Sequence, residues 1–146
     1  MANKTFLLAI LASTALVGVS VSASAQSGAP IKVGLSGPFT GGSSSMGVSM
    51  RDGVKLAVEE INKAGGVLGR PIQLIERDDE AKNEVGVQIA QELINKEKVV
   101  ATLGFINTGV AQAAQRFYQE AEIPVLNNVA TGSILTNQWP DQKINY

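Results

Sequence analysis

The chain has 146 residues, enough for about one domain, and its 12 basic and 13 acidic side chains give a formal net charge of −1. This balance provides no basic footprint for nucleic acid and no polybasic surface for anionic lipid. Histidine and cysteine are both absent, which removes the commonest general base, the commonest metal ligand and any disulfide. We therefore expect a protein that is not an enzyme, with no cofactor, no metal and no nucleic-acid partner.

The first 25 residues have the pattern of a cleaved signal peptide. Lys4 supplies a short positive start, residues 6–21 are almost unbroken apolar sequence, and the triplet ASA at 23–25 has the small residues that signal peptidase cuts after. The apolar stretch is short for a membrane-spanning helix and no basic flank follows it. We expect export and a mature domain of residues 26–146. Because no cysteine is available to carry a lipid anchor, this domain is expected to diffuse freely in a bacterial periplasm.

Apolar runs and helical patterns alternate along the mature domain. Short apolar runs predict four strands, at residues 31–35, 72–75, 99–103 and 123–126. Spaced apolar residues predict three helices between them, the second at 83–96 and the third at 110–121. This alternation is typical of an α/β fold with a mostly parallel sheet covered by helices on both faces. Among the few right-handed windings available we choose the doubly wound strand order 2-1-3-4.

The ends and inner faces of two predicted helices can be assigned. The pattern Ser49-x-x-Asp52 fits a capping box at the start of the first helix, and Gly65-Gly66 should end it. The inner face of that helix is predicted to contain Met50, Val54, Ala57, Val58 and Ile61, and its charged residues to face solvent. The inner face of the third helix is predicted to contain Val110, Ala114, Phe117 and Ala121.

Three polar loops are expected to meet at one edge of this sheet. In an open doubly wound sheet, ligands bind beyond the carboxyl ends of the strands, where the winding reverses. The order 2-1-3-4 places loops 36–47 and 104–109 at that point, with residues 127–131 alongside. All three loops are rich in Gly, Ser, Thr and Asn. Their N–H groups, hydroxyls and helix N-termini would suit an anionic group such as a carboxylate.

These polar segments have three other interpretations: plain connecting loops, a dinucleotide cradle and a cation site. Gly, Ser and Asn also fill ordinary connecting loops because they accept turn geometry. A dinucleotide cradle needs G-x-G-x-x-G directly after the first strand, and the glycines at 34, 37, 41, 42 and 47 do not have that spacing. The acids Asp78, Asp79 and Glu80 could bind a hard cation, but adjacent acids after a strand are more typical of a solvated turn or a helix cap.

Three segments resemble a known family. The stretch LAVEEINKAGGVLGRPIQLIERDDEA, residues 56–81, closely resembles the hallmark segment of the substrate-binding proteins of branched-chain-amino-acid-type (Leu/Ile/Val) ABC importers. GLSGPFTG at 34–41, its spacing to Gly47, and IPVLNNVAT at 123–131 strengthen the resemblance, which extends over residues 31–136. That family has the type I periplasmic-binding-protein fold, in which two lobes close on a ligand. Its members are typically more than twice as long, so the mature domain resembles an N-terminal lobe without the second lobe.

The resemblance implies a set of ligand-binding residues. Thr108 matches a hydroxyl residue that holds the α-amino acid end of the ligand, Thr131 a hydroxyl that binds the carboxylate, and Val129 a backbone carbonyl contact. Met46 stands where amino-acid binders often have an aromatic residue. Phe105 and Asn107 are expected to line the crevice. The complete predicted set is Ser45, Met46, Phe105, Asn107, Thr108, Gly109, Val129, Ala130 and Thr131.

The implied function is solute capture for an ABC importer. The protein would bind a small carboxylate, favoured to be a branched-chain or other amino acid, and deliver it to a permease in the inner membrane. The departure at Met46 leaves aromatic or short aliphatic acids open as ligands. A ligand-sensing domain of a receptor or regulator with the same fold is a further alternative, whereas a periplasmic enzyme is disfavoured by the missing histidine.

Overall fold

The computed structural model describes residues 28–137, so the signal peptide predicted for residues 1–25 lies outside the described part. Within residues 28–137, no helix is both long enough and apolar enough to span a bilayer. The elements in chain order are β1 Ile31–Gly37, α1 Ser44–Lys63, β2 Ile72–Asp78, α2 Asn83–Glu92, β3 Ala101–Gly104, α3 Thr108–Glu120, β4 Val125–Asn127 and α4 Ile134–Asn137. A π-helical turn, Leu93–Glu97, extends α2.

The four strands form one sheet in the order β2-β1-β3-β4, and every neighbouring pair is parallel. The order predicted from the sequence is confirmed. At the carboxyl edge, Gly37 of β1 pairs with Asp78 of β2, and Gly104 of β3 pairs with Asn127 of β4. The winding reverses after β1, which has β2 on one side and β3 on the other. The loops that follow all four strands therefore leave from one edge of the sheet.

Helices cover both faces of the sheet, as predicted. A Cβ placed on Gly34 would lie 2.8 Å from Leu93, which directly extends α2, whereas one placed on Gly37 would lie 2.6 Å from Met50 of α1. Residues of opposite parity in a strand point to opposite faces. The π-helical extension of α2 and helix α1 therefore pack on opposite faces of the sheet.

The face covered by α2 and α3 contains the main core. Its larger cluster of buried residues consists of Ala90, Phe105, Val110, Ala111, Ala114, Tyr118, Val125 and Leu135. The Tyr118 side chain is fully buried, and burial raises the pKa of its hydroxyl to about 12, partly offset by the Thr102 hydroxyl. The prediction that Ala121 points inward is wrong, since it is exposed. Val110 and Ala114 are buried and Phe117 packs against the same cluster, as predicted, and Ala111 and Tyr118 complete the inner face of α3.

Helix α1 begins five residues before the predicted capping box. Its first residue is Ser44 and the N-cap is Ser43, so Ser49 and Asp52 lie inside the helix and cap nothing. The serine-rich segment can be helical because Gly47, in the first turn, lies directly against the Pro38 carbonyl oxygen, where no Cβ would fit. The predicted end is confirmed, since Gly65 and Gly66 follow the helix with φ of 106° and 77°.

The inner face of α1 is only partly covered. Of the five residues predicted to point inward, Met50, Val54 and Val58 are half-buried, whereas Ala57 and Ile61 are exposed. Leu126 of β4 is also 45% exposed. Among the described residues, α1 is the helix that packs on this face, and its main contacts are with β1 and β2. An apolar groove therefore runs beside α1.

We expect Gly47→Ala to destabilise the fold, because the added methyl group would collide with the Pro38 backbone, which cannot rotate away. Overpacking of this kind lowers the free energy of unfolding by about 1–3 kcal/mol, measurable by urea denaturation. Gly53→Ala in the same helix is the matched control, because its Cβ would meet nothing within 4 Å. That change should stabilise the protein by up to about 1 kcal/mol. Equal effects of the two substitutions would contradict the close approach at Gly47.

Candidate functional site

The loop between β1 and α1 is held by the carboxylate of Asp78, the last residue of β2. Its Oδ1 accepts hydrogen bonds from the backbone N–H groups of Phe39 at 2.8 Å and Thr40 at 3.4 Å. Its Oδ2 accepts one from the Thr40 hydroxyl at 2.6 Å, and the N–H of Glu80 donates to Oδ1 at 2.9 Å. Partial burial would raise the pKa of Asp78, but these hydrogen bonds outweigh it and lower the pKa below its ordinary value.

Asp79 anchors the base of the same loop from a buried position. Its side chain is 1% exposed, its N–H donates to the Gly37 carbonyl at 3.0 Å, and its carboxylate accepts from the Ser36 hydroxyl at 3.2 Å and from the Ala81 N–H at 3.0 Å. Burial raises the pKa of Asp79 despite these bonds. The expectation of a solvated turn is therefore wrong for this residue, because its partners on β1 remove it from water.

The N-termini of α1 and α3 meet at the carboxyl edge of the sheet. Asn107 is the N-cap residue of α3, and its Nδ2 donates to the hydroxyl of Ser43, the N-cap residue of α1, at 3.4 Å. In the described part of the chain, neither side chain caps its own helix. Uncapped N–H groups and the helix dipoles make such ends favourable for an anion.

The loop after β4 is fastened to the same edge. The Asn128 side chain accepts a hydrogen bond from the Gly104 N–H at 3.0 Å, and the Phe105 carbonyl accepts from the N–H groups of Val129 and Ala130. Further along, the Gly132 N–H donates to the Thr108 hydroxyl oxygen at 3.3 Å. This last bond places the loop directly beside the start of α3.

A cavity of about 690 Å³ lies between α1 and the loop after β4. Its walls include Ser45, Met46, Met50 and Val54 from α1, and Asn128 and Val129 from the loop. Met46 is 51% exposed and Val129 is 40% exposed, so apolar side chains are accessible along the groove. The groove is therefore mostly apolar, with hydroxyl and amide groups among its walls.

A family model described as periplasmic binding protein matches residues 30–144. The chain belongs to the periplasmic binding protein family. The branched-chain resemblance is confirmed by relatives such as Leu/Ile/Val-binding protein homolog 3 of Brucella melitensis, which is 32% identical over 130 residues, covering 89% of this chain and 34% of the relative. The amino acid binding protein of Pseudomonas aeruginosa is 31% identical over 140 residues, covering 94% of this chain and 36% of the relative. The chain spans about a third of the length of the relatives it matches.

Solved structures of the same family confirm the type I fold. The branched-chain amino acid transporter substrate binding protein LivJ from Streptococcus pneumoniae, in complex with isoleucine, matches with a TM-score of 0.72 and 29% identity, over 75% of this chain and 31% of that one. An ABC transporter solute binding protein from Rhodopseudomonas palustris, in complex with 3,4-dihydroxybenzoic acid, matches with a TM-score of 0.69 and 38% identity, over 76% of this chain and 30% of that one.

In this periplasmic binding protein, the nine predicted site residues all lie in the segments that meet at the carboxyl edge, although the ring of Phe105 is buried in the core. Ser45, Met46 and Val129 line the cavity. Five others lie at the start of α3 or in the adjoining loop: Asn107, Thr108, Gly109, Ala130 and Thr131. Thr131 precedes Gly132, the residue bonded to Thr108, so Thr108 and Thr131 lie close together.

The ring of Phe105 does not line the crevice as expected. It is 1% exposed and packs in the core cluster under α2 and α3, and its carbonyl holds the loop after β4. The cavity walls also include residues that were not predicted as site residues from the sequence: Ser49, Met50, Val54 and Asn128. The helical spacing from Met46 to Met50 and Val54 was a usable signal for two of them, because residues four apart lie on one face.

We predict opposite pH dependences for the two adjacent acids, whose ordinary pKa is 3.8. The folded pKa of Asp78 is lowered, so its stabilising contribution is present above 3.8 and is lost as pH falls through the folded value. The folded pKa of Asp79 is raised, so its contribution is fully present below 3.8 and declines as pH rises through the folded value.

The measurement is the free energy of unfolding of the wild type, Asp78→Asn and Asp79→Asn across about pH 3 to 7. As pH falls, the wild type should lose stability relative to Asp78→Asn and gain it relative to Asp79→Asn. The variants differ from the wild type at one carboxylate each, so each difference in stability reports on that acid. Slopes of the same sign for both variants would contradict the assignment.

Proposed function

We propose that this chain is the N-terminal lobe of an extracytoplasmic solute-binding protein of an ABC importer. In this role it captures a small carboxylate in the periplasm and delivers it to a permease in the inner membrane, without chemistry on the solute. The observation that carries the proposal is the meeting of two uncapped helix N-termini, linked by the Asn107–Ser43 hydrogen bond, beside the loop that contains Thr131.

The proposed carboxylate contacts follow from the groups at this edge. The N–H groups of Thr108 and Gly109 are the first of α3 and have no carbonyl of the helix to bond. The Thr108 hydroxyl oxygen already accepts the Gly132 N–H, so its own proton is available for a carboxylate oxygen. Thr131 is exposed and offers a hydroxyl from the facing loop. Charge-assisted bonds of this kind favour the ionised ligand.

The apolar groove beside α1 is the proposed place for the rest of the ligand. Met46, Met50 and Val54 would contact an aliphatic or aromatic group, and methionine adapts to either shape. The backbone carbonyl of Val129 would accept a hydrogen bond from an ammonium group. No Asp or Glu lies among the described residues that line the cavity, so the counter-charge for an ammonium would come from outside residues 28–137.

Amino acids are the favoured ligands, because the sequence relatives reported above have amino-acid-binding names and the LivJ structure contains isoleucine. Aromatic acids are the second candidate, favoured by one observation: the groove offers methionine and aliphatic walls around a carboxylate site without an acid for an ammonium. A benzoate needs only the carboxylate site and the apolar wall. The Rhodopseudomonas palustris protein with 3,4-dihydroxybenzoic acid, at 38% identity, gives this candidate further support.

The test is a titration of the mature chain, residues 26–146, with L-leucine and with benzoate, followed by ¹⁵N–¹H NMR. We expect saturable shifts at the amides of Thr108, Gly109 and Thr131, with weak, millimolar dissociation constants. Binding should be weak because a single lobe supplies only part of the hydrogen bonds while the cost of immobilising the ligand remains. Leucinamide and benzamide, which have no carboxylate, are the matched controls and should leave these amides unshifted. Micromolar or tighter binding, or an equal response to the amides, would contradict the proposal.

A second prediction concerns the hydroxyl of Thr131. Thr131→Val keeps the shape of the side chain and removes one donor to the ligand, so we expect the affinity for benzoate to fall about tenfold, the loss of one hydrogen bond to a charged group. Thr136→Val, at an exposed position of α4, is the control and should change the affinity by less than about twofold. Equal affinities of the two variants would remove Thr131 from the site.

A further inference from the structure

The first turn of α1 has to be held in place if it forms one wall of a binding site. Ser45 and Met46 line the cavity from that turn, and α1 begins directly after the loop of residues 38–43. This loop contains Gly41, with φ of 81°, and Gly42, around which a Cβ would meet nothing within 4 Å. Two adjacent glycines in open space give the loop little intrinsic preference for one conformation. Its position therefore depends on contacts from elsewhere.

Those contacts come mainly from Asp78. Three donors of the loop converge on its carboxylate: the N–H groups of Phe39 and Thr40, and the Thr40 hydroxyl. Two further contacts connect this loop to the first turn of α1. The Pro38 carbonyl is packed against Gly47, and the Ser44 N–H donates to the Gly41 carbonyl at 3.2 Å.

The loop also connects to the second helix of the site. The Ser43 hydroxyl at its end accepts the hydrogen bond from Asn107, the N-cap residue of α3. Asp78 itself lies at the end of β2, on the far side of β1 from β3 and β4, and does not line the cavity. Its influence on a ligand would therefore act through the loop and not by contact.

We propose that Asp78 is a positioning residue for the ligand site. Its carboxylate accepts hydrogen bonds from the loop residues Phe39 and Thr40 and thereby fixes the position of the first turn of α1. The proposal rests on the proposed function, since it assigns this residue to the same site. Asp79 is not a suitable position for the test, because it is buried and its replacement would disturb the packing between the ends of β1 and β2.

The expected consequence of removing the carboxylate is a mobile loop in a folded protein. Among the described residues, the N–H groups of Phe39 and Thr40 have no other acceptor, so in Asp78→Ala both would hydrogen-bond to water. A ligand would then have to order residues 38–43 on binding, and that ordering cost would appear as lost affinity.

The experiment compares Asp78→Ala with Glu59→Ala, an exposed acid of α1 whose ion-pair partner is Lys63, in the same NMR titration with L-leucine and benzoate at pH 7. We expect the dissociation constants of Asp78→Ala to rise about tenfold, and those of Glu59→Ala to change less than about twofold. The amides of residues 44–47 should also shift in ligand-free Asp78→Ala. Thr40→Val should weaken binding to a smaller extent, and adding it to Asp78→Ala should cause no further loss.

The outcomes separate this proposal from the proposed function. If the wild type binds neither probe, the proposed function fails and the positioning role fails with it. If the wild type binds and Asp78→Ala binds equally well, the positioning role is overturned while the proposed function stands. If Asp78→Ala does not fold, Thr40→Val decides: weaker binding at an unchanged urea midpoint supports the role, and unchanged affinity overturns it.

Discussion

All four strands of the sheet run in the same direction, and the site depends on this constraint because it sends the loops after β1, β3 and β4 to one edge. The helices that follow β1 and β3 then begin at that edge with their N–H groups toward the same space. Gly104 makes the convergence possible, since any side chain there would run into the Ser36 carbonyl oxygen. The close contact of these two strand ends brings Asn107 within reach of Ser43.

The two adjacent acids at the end of β2 stabilise different parts of the loop between β1 and α1. Asp79 is buried against β1 and fixes the base of the loop, whereas Asp78 fixes its tip. Their pKa values move in opposite directions for this reason, burial dominating at one and hydrogen bonds at the other. Because the charge of Asp78 is satisfied by four donors, it is compatible with an anionic ligand bound beyond the next strand.

Much of this architecture could be predicted from the sequence, because strand and helix patterns alternate clearly and parallel crossovers allow few windings. The start of α1 could not, since serine and glycine favour turns locally, whereas the close approach of Gly47 to Pro38 is a feature of the folded chain that no local pattern reveals. The burial of Asp79 depends on Ser36, 43 residues earlier in the chain, which no local pattern reveals. The loops at the carboxyl edge could be predicted from their composition, but the burial of the Phe105 ring in the core could not.

We propose that one edge of this sheet binds the carboxylate of a solute through the starts of two helices and the loop after β4. A crystal structure of residues 26–146 soaked in saturating L-leucine tests this proposal most directly. The account predicts electron density with both carboxylate oxygens within hydrogen-bond distance of the backbone or hydroxyl groups of Thr108 and Thr131, and the leucine side chain toward Met46. A ligand bound elsewhere, or bound here with its carboxylate facing solvent, would contradict it.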